Sequence, residues 1–155
     1  MKVLLARHAQ PKSRQQEADP TLSEIGWSQI RKTAAFVAQH ADSGIQTILH
    51  SGKARARQTA EVLGQLLKLE DGVKESDGLK PMDAPEIWAK RLSWQNDNIA
   101  LIGHLPHMAK LAALLLCKSS SDPMIEFTPA TIVCLNRDDK GAWSLEWMIN
   151  PDQMD

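Results

Sequence analysis

The chain has 155 residues, 43% of them hydrophobic and 24% charged, which suits one soluble globular domain spanning 1–155 and excludes a disordered chain. A formal net charge of -1, no run of Lys or Arg, and no tyrosine for base stacking argue against a nucleic-acid partner. The start of the chain has no small-residue cleavage site and the apolar run MAKLAALLLC is short and broken by Lys110, so the expectation is a cytoplasmic protein with no membrane span.

In chain order, the apolar run at Val3 to Ala6 predicts a buried strand, and it ends in Arg7 and His8. The segment Gln10 to Pro20 is polar with little apolar surface to pack, which predicts a mobile flap beside that strand's end. TLSE then matches a capping box, predicting a helix from Thr21 with Trp27, Ile30, Ala34, Val37 and Ala41 on one face and Gly44 closing it. A second strand, Ile45 to Leu49, ends in His50. After it, a helix runs from about Ala54 to Leu67 with Ala56, Ala60, Leu63 and Leu67 as its apolar stripe.

Asp83 suits the N-cap of a third helix whose packed side holds Ile87, Trp88, Arg91 and Leu92. The run Ile99 to Ile102 predicts a third strand leading to His104, and Pro106 opens a fourth helix presenting Met108, Leu111, Ala112 and Leu115. Cys117 and Cys134 lack C-x-x-C spacing and read as core thiols. TIVCLNR and AWSLEWMI flank the turn sequence DDKG, and the alternation of Trp143, Leu145, Trp147 and Ile149 predicts an antiparallel edge hairpin. Short apolar runs alternating with helices imply βαβ units, hence an α/β fold with a sheet covered on both faces.

In such sheets ligands sit beyond the carboxyl ends of the strands, and three of the histidines, His8, His50 and His104, fall at predicted strand ends. A neutral imidazole can attack phosphorus if its other ring N–H is held by a carbonyl. Phosphoryl transfer depends on positioning and on neutralising the phosphoryl oxygens, for which guanidinium forks suit better than ammonium groups. Arg7 adjoins His8, and SGKARARQTAE brings Arg55 and Arg57 to a helix start, where the dipole also favours an anion. These residues make a candidate phosphate cradle.

RHA at 7–9, TLSEIGWSQ at 21–29, SGKARARQTAE at 51–61 and GHLP at 103–106 together resemble the histidine phosphatase superfamily, also called phosphoglycerate mutase-like. Small size and the GHLP stretch look most like the short bacterial phosphohistidine phosphatases of the SixA type. The resemblance implies a three-layer α/β/α sandwich with a mostly parallel central sheet and an antiparallel C-terminal edge hairpin. It also implies a covalent phosphohistidine intermediate. Matched position by position, His8 would be the nucleophile, Arg7 a phosphate ligand, and Arg55 and His104 the rest of the catalytic and substrate-binding set. Arg57 is left as a surface or structural residue, and no metal or cofactor is expected.

Three departures from the family pattern stand out. Ala9 takes the place of the usual glycine, where a positive φ would cost roughly 1 kcal/mol. Gly52 takes the place of the usual proline, which loosens the loop leading to Arg55. No stretch matches the glutamate that larger members use as a general acid; Asp83 is the nearest candidate, with Asp19 and Glu24 as further carboxylates. An imidazole leaving group, with a pKa of about 6.5, needs such an acid far less than an alkoxide does, so the absence favours phosphohistidine over sugar phosphates. The expected partner is a phosphorylated protein carrying phosphohistidine, or a small phosphorylated metabolite.

Two other functional classes fit parts of the sequence. His8, His50 and His104 could be three ligands of a metal-dependent hydrolase, although two arginines beside the metal would repel it. A phosphate-binding module without turnover would accommodate Ala9, Gly52 and the absent acid. His40 and His107 read as ordinary helix-terminal residues, His50 as a strand-end residue, and the tryptophans as packing, with Trp88 and Trp94 nearest the rim.

Overall fold

The structure is a computed structural model that describes residues 1–154. Its strands are β1 (Lys2–Arg7), β2 (Thr47–His50), β3 (Val73–Glu75), β4 (Ile99–Gly103), β5 (Ile132–Arg137) and β6 (Trp143–Ile149). They form one sheet in the order β3-β2-β4-β1-β5-β6, in which β3, β2, β4 and β1 are parallel, β5 runs against β1, and β6 runs against β5. The four helices are α1 (Glu24–His40), α2 (Ala54–Leu67), α3 (Pro85–Trp94) and α4 (His107–Cys117). This is the predicted α/β architecture with its C-terminal edge hairpin.

The central strands read as unbroken apolar runs because both of their faces are covered. Leu4 and Ala6 face the core beneath α1 and α2, with Ile30, Ala34, Ala60 and Leu63. Val3 and Leu5 face the opposite core beneath α3 and α4, with Trp88, Leu92, Met108 and Leu111. One strand thus feeds two cores by side-chain alternation. Removing a fully buried leucine such as Leu5 or Leu63 would cost about 2–5 kcal/mol.

Element ends depart from the sequence reading at several places. α1 is capped by Ser23, whose Oγ accepts from the Gly26 N–H at 3.1 Å, and not by Thr21. Thr21 instead donates its N–H and hydroxyl to Glu17. The helix cannot begin earlier because Leu22 pairs with Pro11 and the Lys12 N–H donates to the Thr21 carbonyl, zipping together the two ends of the segment read as a flap. Gly26 is required here: a Cβ on it would lie 2.1 Å from the Gln10 carbonyl oxygen. α1 ends at His40, before Gly44, which takes a positive φ in the following turn.

α3 begins one residue after Ala84, so Asp83 is not its cap; the Asp83 carboxylate accepts from the Lys80 N–H at 2.9 Å. Trp88 and Leu92 are buried, whereas Ile87 is 38% exposed and Arg91 pairs with Asp77 on the surface. In the hairpin, Cys134 opposes Trp147 and Leu135 opposes Leu145, so a bulge interrupts the alternation. Trp147 and Ile149 consequently pack on the α1/α2 side and Trp143 on the other. Cys134 is buried, while Cys117 is exposed.

Candidate active site

β1 and β4 lie side by side, with Arg7 in register with Gly103. The chain leaves β1 toward α1 on one face and leaves β4 toward α4 on the other. Two neighbouring strands whose exits diverge leave a crevice at their carboxyl ends, the usual ligand position in such sheets. His8 and His104 are the first residues past these two ends, and their rings lie 4.9 Å apart, tilted by 53°.

The His8 backbone is tied to three elements. Its N–H donates to the Gly103 carbonyl at 3.0 Å, its carbonyl accepts from Ala130 at 3.2 Å, and the next N–H, of Ala9, donates to Thr59 Oγ1 of α2 at 3.0 Å. Ala9 does not take a positive φ, so the strain expected of it is not incurred. The ring is oriented too. His8 Nδ1 lies 2.7 Å from the Ala9 carbonyl oxygen, which can only accept, so Nδ1 carries the proton and donates. Nε2 is left with its lone pair and receives the Arg55 Nε–H at 3.4 Å.

Burial pushes His8 from 6.5 down to about 4; the Ala9 carbonyl opposes this, and Arg55 and Arg7 add to it. Burial also drives His104 to about 2, helped by the neighbouring His8 ring, by Arg55 and Lys53, and by the His107 ring. Both rings are therefore neutral at pH 7. His104 Nε2 sits 2.6 Å from Ser51 Oγ, while its buried Nδ1 has no partner.

Arg55 is the second residue of α2 and is buried, with an exposure of only 8%. Its helix has no side-chain cap of its own; Asp19 reaches across from the Gln10–Pro20 segment and accepts from the Ala54 N–H at 3.2 Å. Arg7 donates from Nη1 to the Phe127 carbonyl at 2.8 Å and its own N–H donates to Thr131, but its buried Nε has no partner. Burial lowers the pKa of both guanidiniums without discharging them. Two neutral imidazoles, two cations and unpartnered N–H positions converge where an oxyanion with several acceptor oxygens would satisfy them.

Arg7, His8, Arg55 and His104 are thus brought together, and Arg57 is exposed. His50 is turned away, its Nδ1 accepting from the Gly52 N–H, and among the described residues no three His, Cys, Asp or Glu side chains could hold a metal ion. His40 stacks on Phe36 at the surface. His107 is fully buried with both ring nitrogens unpartnered, a less ordinary position than its sequence suggested. Trp88 is buried and bonded to the Asp77 carbonyl, and Trp94 is 78% exposed.

Sequence reasoning missed Ser51 as the partner of His104, Phe127 as the carbonyl that holds Arg7, and Glu75 at the cavity mouth. Glu75 ends β3, a three-residue strand with no apolar alternation to reveal it. Its carboxylate lies against Gly52, where a Cβ would come within 2.3 Å of Oε1. Gly52 has φ +88°, which proline cannot adopt, so a proline does not fit this loop as it stands.

The crevice gathers two arginines and two histidines, the groups that phosphoryl transfer calls for. The chain belongs to the histidine phosphatase superfamily: the model of its branch 1 matches residues 3–94. Among solved structures, the protein histidine phosphatase SixA complexed with tungstate is similar over 100% of both chains, at 22% identity and TM-score 0.87. A mycobacterial glucosyl-3-phosphoglycerate phosphatase complexed with VO3 is similar over 94% of this chain and 97% of its own, at 17% identity and TM-score 0.73. A phosphoserine phosphatase variant from Entamoeba histolytica with phosphoserine bound covers 99% and 98%, at 16% identity and TM-score 0.63. At these identities the likeness establishes the fold. No curated protein sequence matches the chain. Among the described residues no helix is long and apolar enough to cross a membrane.

Proposed function

We propose that this phosphatase takes the phosphoryl group onto His8 and that its preferred substrate is a phosphohistidine, carried by a protein. The observation that carries the reading is the His8 tautomer: Nδ1–H held by the Ala9 carbonyl, Nε2 free of protons and facing Arg55. An incoming phosphoryl group draws the Arg55 Nε–H from Nε2 to one of its oxygens, which exposes the lone pair for attack. The Nε2–P bond forms as the bond to the leaving group breaks, and the leaving group keeps its electron pair. Arg7, Arg55 and His104 spread the charge of the equatorial oxygens. Water then attacks the phosphorus of phospho-His8; the N–P bond breaks, orthophosphate departs, and Nε2 regains its lone pair.

Of the three carboxylates named from the sequence, Glu24 is exposed on α1 and the other two are engaged. Asp19 caps α2 and Asp83 holds the Lys80 N–H. A phosphohistidine ring that has taken a proton from solvent on its other nitrogen departs as neutral imidazole, with a conjugate-acid pKa of about 6.5, whereas an alkoxide needs a proton from the enzyme. Hence phosphohistidine is favoured over esters by about 10²-fold or more, the usual worth of a missing general acid. Rapid-quench trapping with a phosphoramidate should label the wild type and not His8→Ala. Rates should then be compared for a phosphohistidine peptide and small phosphate esters. Label retained by His8→Ala overturns the nucleophile; equal rates overturn the substrate and favour a metabolite phosphatase; binding without label or turnover marks a phosphate-binding module.

A further inference from the structure

The buried oxyanion pocket is only the floor of a larger opening. Above it lies a cavity of about 390 Å³, whose charged lining is Arg14, Lys53, Arg55 and Lys80 against Asp19 and Glu75. Ion pairs among the described residues are Lys2–Glu146, Lys12–Glu17 and Arg91–Asp77, so Arg14, Lys53 and Lys80 are not paired with either carboxylate of the same cavity. Surface cations of this kind are normally just solvated. Two of these reach the site electrostatically: Arg14 depresses Arg55 after burial has done so, and Lys53 contributes to the depression of His104.

The carboxylates leave the balance positive. Asp19 is committed to the head of α2, where the helix dipole offsets part of its charge. In the cavity lining Arg14, Lys53, Arg55 and Lys80 outnumber Asp19 and Glu75 by two, Arg7 beside His8 adds a further positive charge, and a phosphoryl dianion neutralises two of the three. This excess belongs to a chain whose overall charge is -1. It is also directional. The adjoining cavity shares Ser51, Glu75 and Lys80 but adds Asp83 and Asp77, the latter paired with Arg91, so the Arg14 and Lys53 side is the more positive of the two.

We propose that Arg14, Lys53 and Lys80 bind a second anionic group of the substrate, on the leaving-group side of phosphorus. The inference rests on the reading that His8 receives the phosphoryl group, since that orients the leaving group outward. The group is a carboxylate or phosphate. Its source is either acidic side chains flanking the phosphohistidine of a protein or an acidic substituent on a small metabolite.

The test uses two substrate pairs: phosphohistidine peptides flanked by aspartates or by serines, and 3-phosphoglycerate against glycerol 3-phosphate. Binding is measured calorimetrically on the His8→Ala protein, so it does not depend on turnover, and kcat/KM is measured on wild type. The more anionic member of at least one pair should bind about tenfold more tightly. That preference should weaken as salt is raised from 0.02 to 0.2 M, because Debye screening shortens from about 20 Å to about 7 Å. The double charge reversal Arg14→Glu, Lys80→Glu should abolish the preference, and circular dichroism should show that the variant remains folded. A preference confined to the peptides assigns the acidic protein surface, and one confined to the small molecules assigns a metabolite. Less than twofold preference in both pairs, or a preference that survives the reversal, overturns the inference. If the preference persists while His8→Ala still traps label, the second site stands and the nucleophile assignment fails.

Discussion

The floor and the mouth of the site are built on opposite principles. At the floor, His8 and His104 are buried and neutral, and their positions are set by backbone bonds to β4, α2 and the segment from Phe127 to Thr131. At the mouth, Arg14 and Lys80 are exposed and Lys53 is half-buried, on segments outside the strands and helices. Fixed neutral rings and buried guanidiniums serve a transition state whose geometry is always the same. Solvated cations serve a leaving group that differs between substrates. On the proposed reading, the chemistry is attached to the sheet, and the selectivity to loops that can change without disturbing it.

The largest effects should be found at the floor. Arg7→Ala or Arg55→Ala should each lower kcat/KM by about 3 kcal/mol of transition-state stabilisation, more than a hundredfold, in steady-state assays with phosphohistidine. Near-wild-type rates in both variants would sink the proposed pocket. Only Arg7→Ala should also destabilise the fold, because the buried Phe127 carbonyl loses its donor.

His8 contributes a pH dependence of stability on the order of 3 kcal/mol. Its folded pKa, about 4, lies below the unfolded 6.5, so the unfolded state binds more protons between these values. The contribution is complete above 6.5 and is lost as pH falls from there toward 4. Urea midpoints should fall for wild type as pH is lowered from 8 to 4, and change less for His8→Ala. The same sign holds for chemistry: NMR titration should find the His8 ring neutral down to about pH 4.

Smaller effects sharpen the contrast. Ser51→Ala removes the hydroxyl 2.6 Å from His104 Nε2 and leaves that buried ring without a partner, so it should cost about 1 kcal/mol in kcat/KM through a looser ring and about 1 kcal/mol in stability by denaturant midpoint. Ala130 has φ +63° beside His8. Ala130→Gly relieves roughly 1 kcal/mol of strain but raises unfolded-state entropy by a similar amount, so stability should move by less than 1 kcal/mol.

Much of the floor was legible in the sequence because it follows the ends of buried parallel strands, which appear as unbroken apolar runs closed by Arg7-His8 and by Gly103-His104. α2 matched its predicted limits, since its small-residue stripe faces the core throughout. What escaped was information carried by the backbone. The Phe127 carbonyl and the Ala130 N–H act through atoms that every residue possesses. Caps failed for a related reason: Thr21 and Asp83 are good cap types, but tertiary pairing of Leu22 with Pro11 and the hold of Asp83 on Lys80 decided otherwise. β3 is too short and exposed to show a pattern, and Glu75 was lost with it.

The interior position of β1, bonded to β4 on one side and β5 on the other, links function to folding. Arg7 is the last rung of the β1–β4 ladder and also stands in the cluster around His8. Fraying at the outer strands can proceed while the reactive ring stays in place, but separating β1 from either neighbour dismantles the centre of the molecule and the chemistry in the same event. Inactivation on heating should consequently trace the global melting curve and not precede it, so that residual turnover reports how many molecules still have an intact middle.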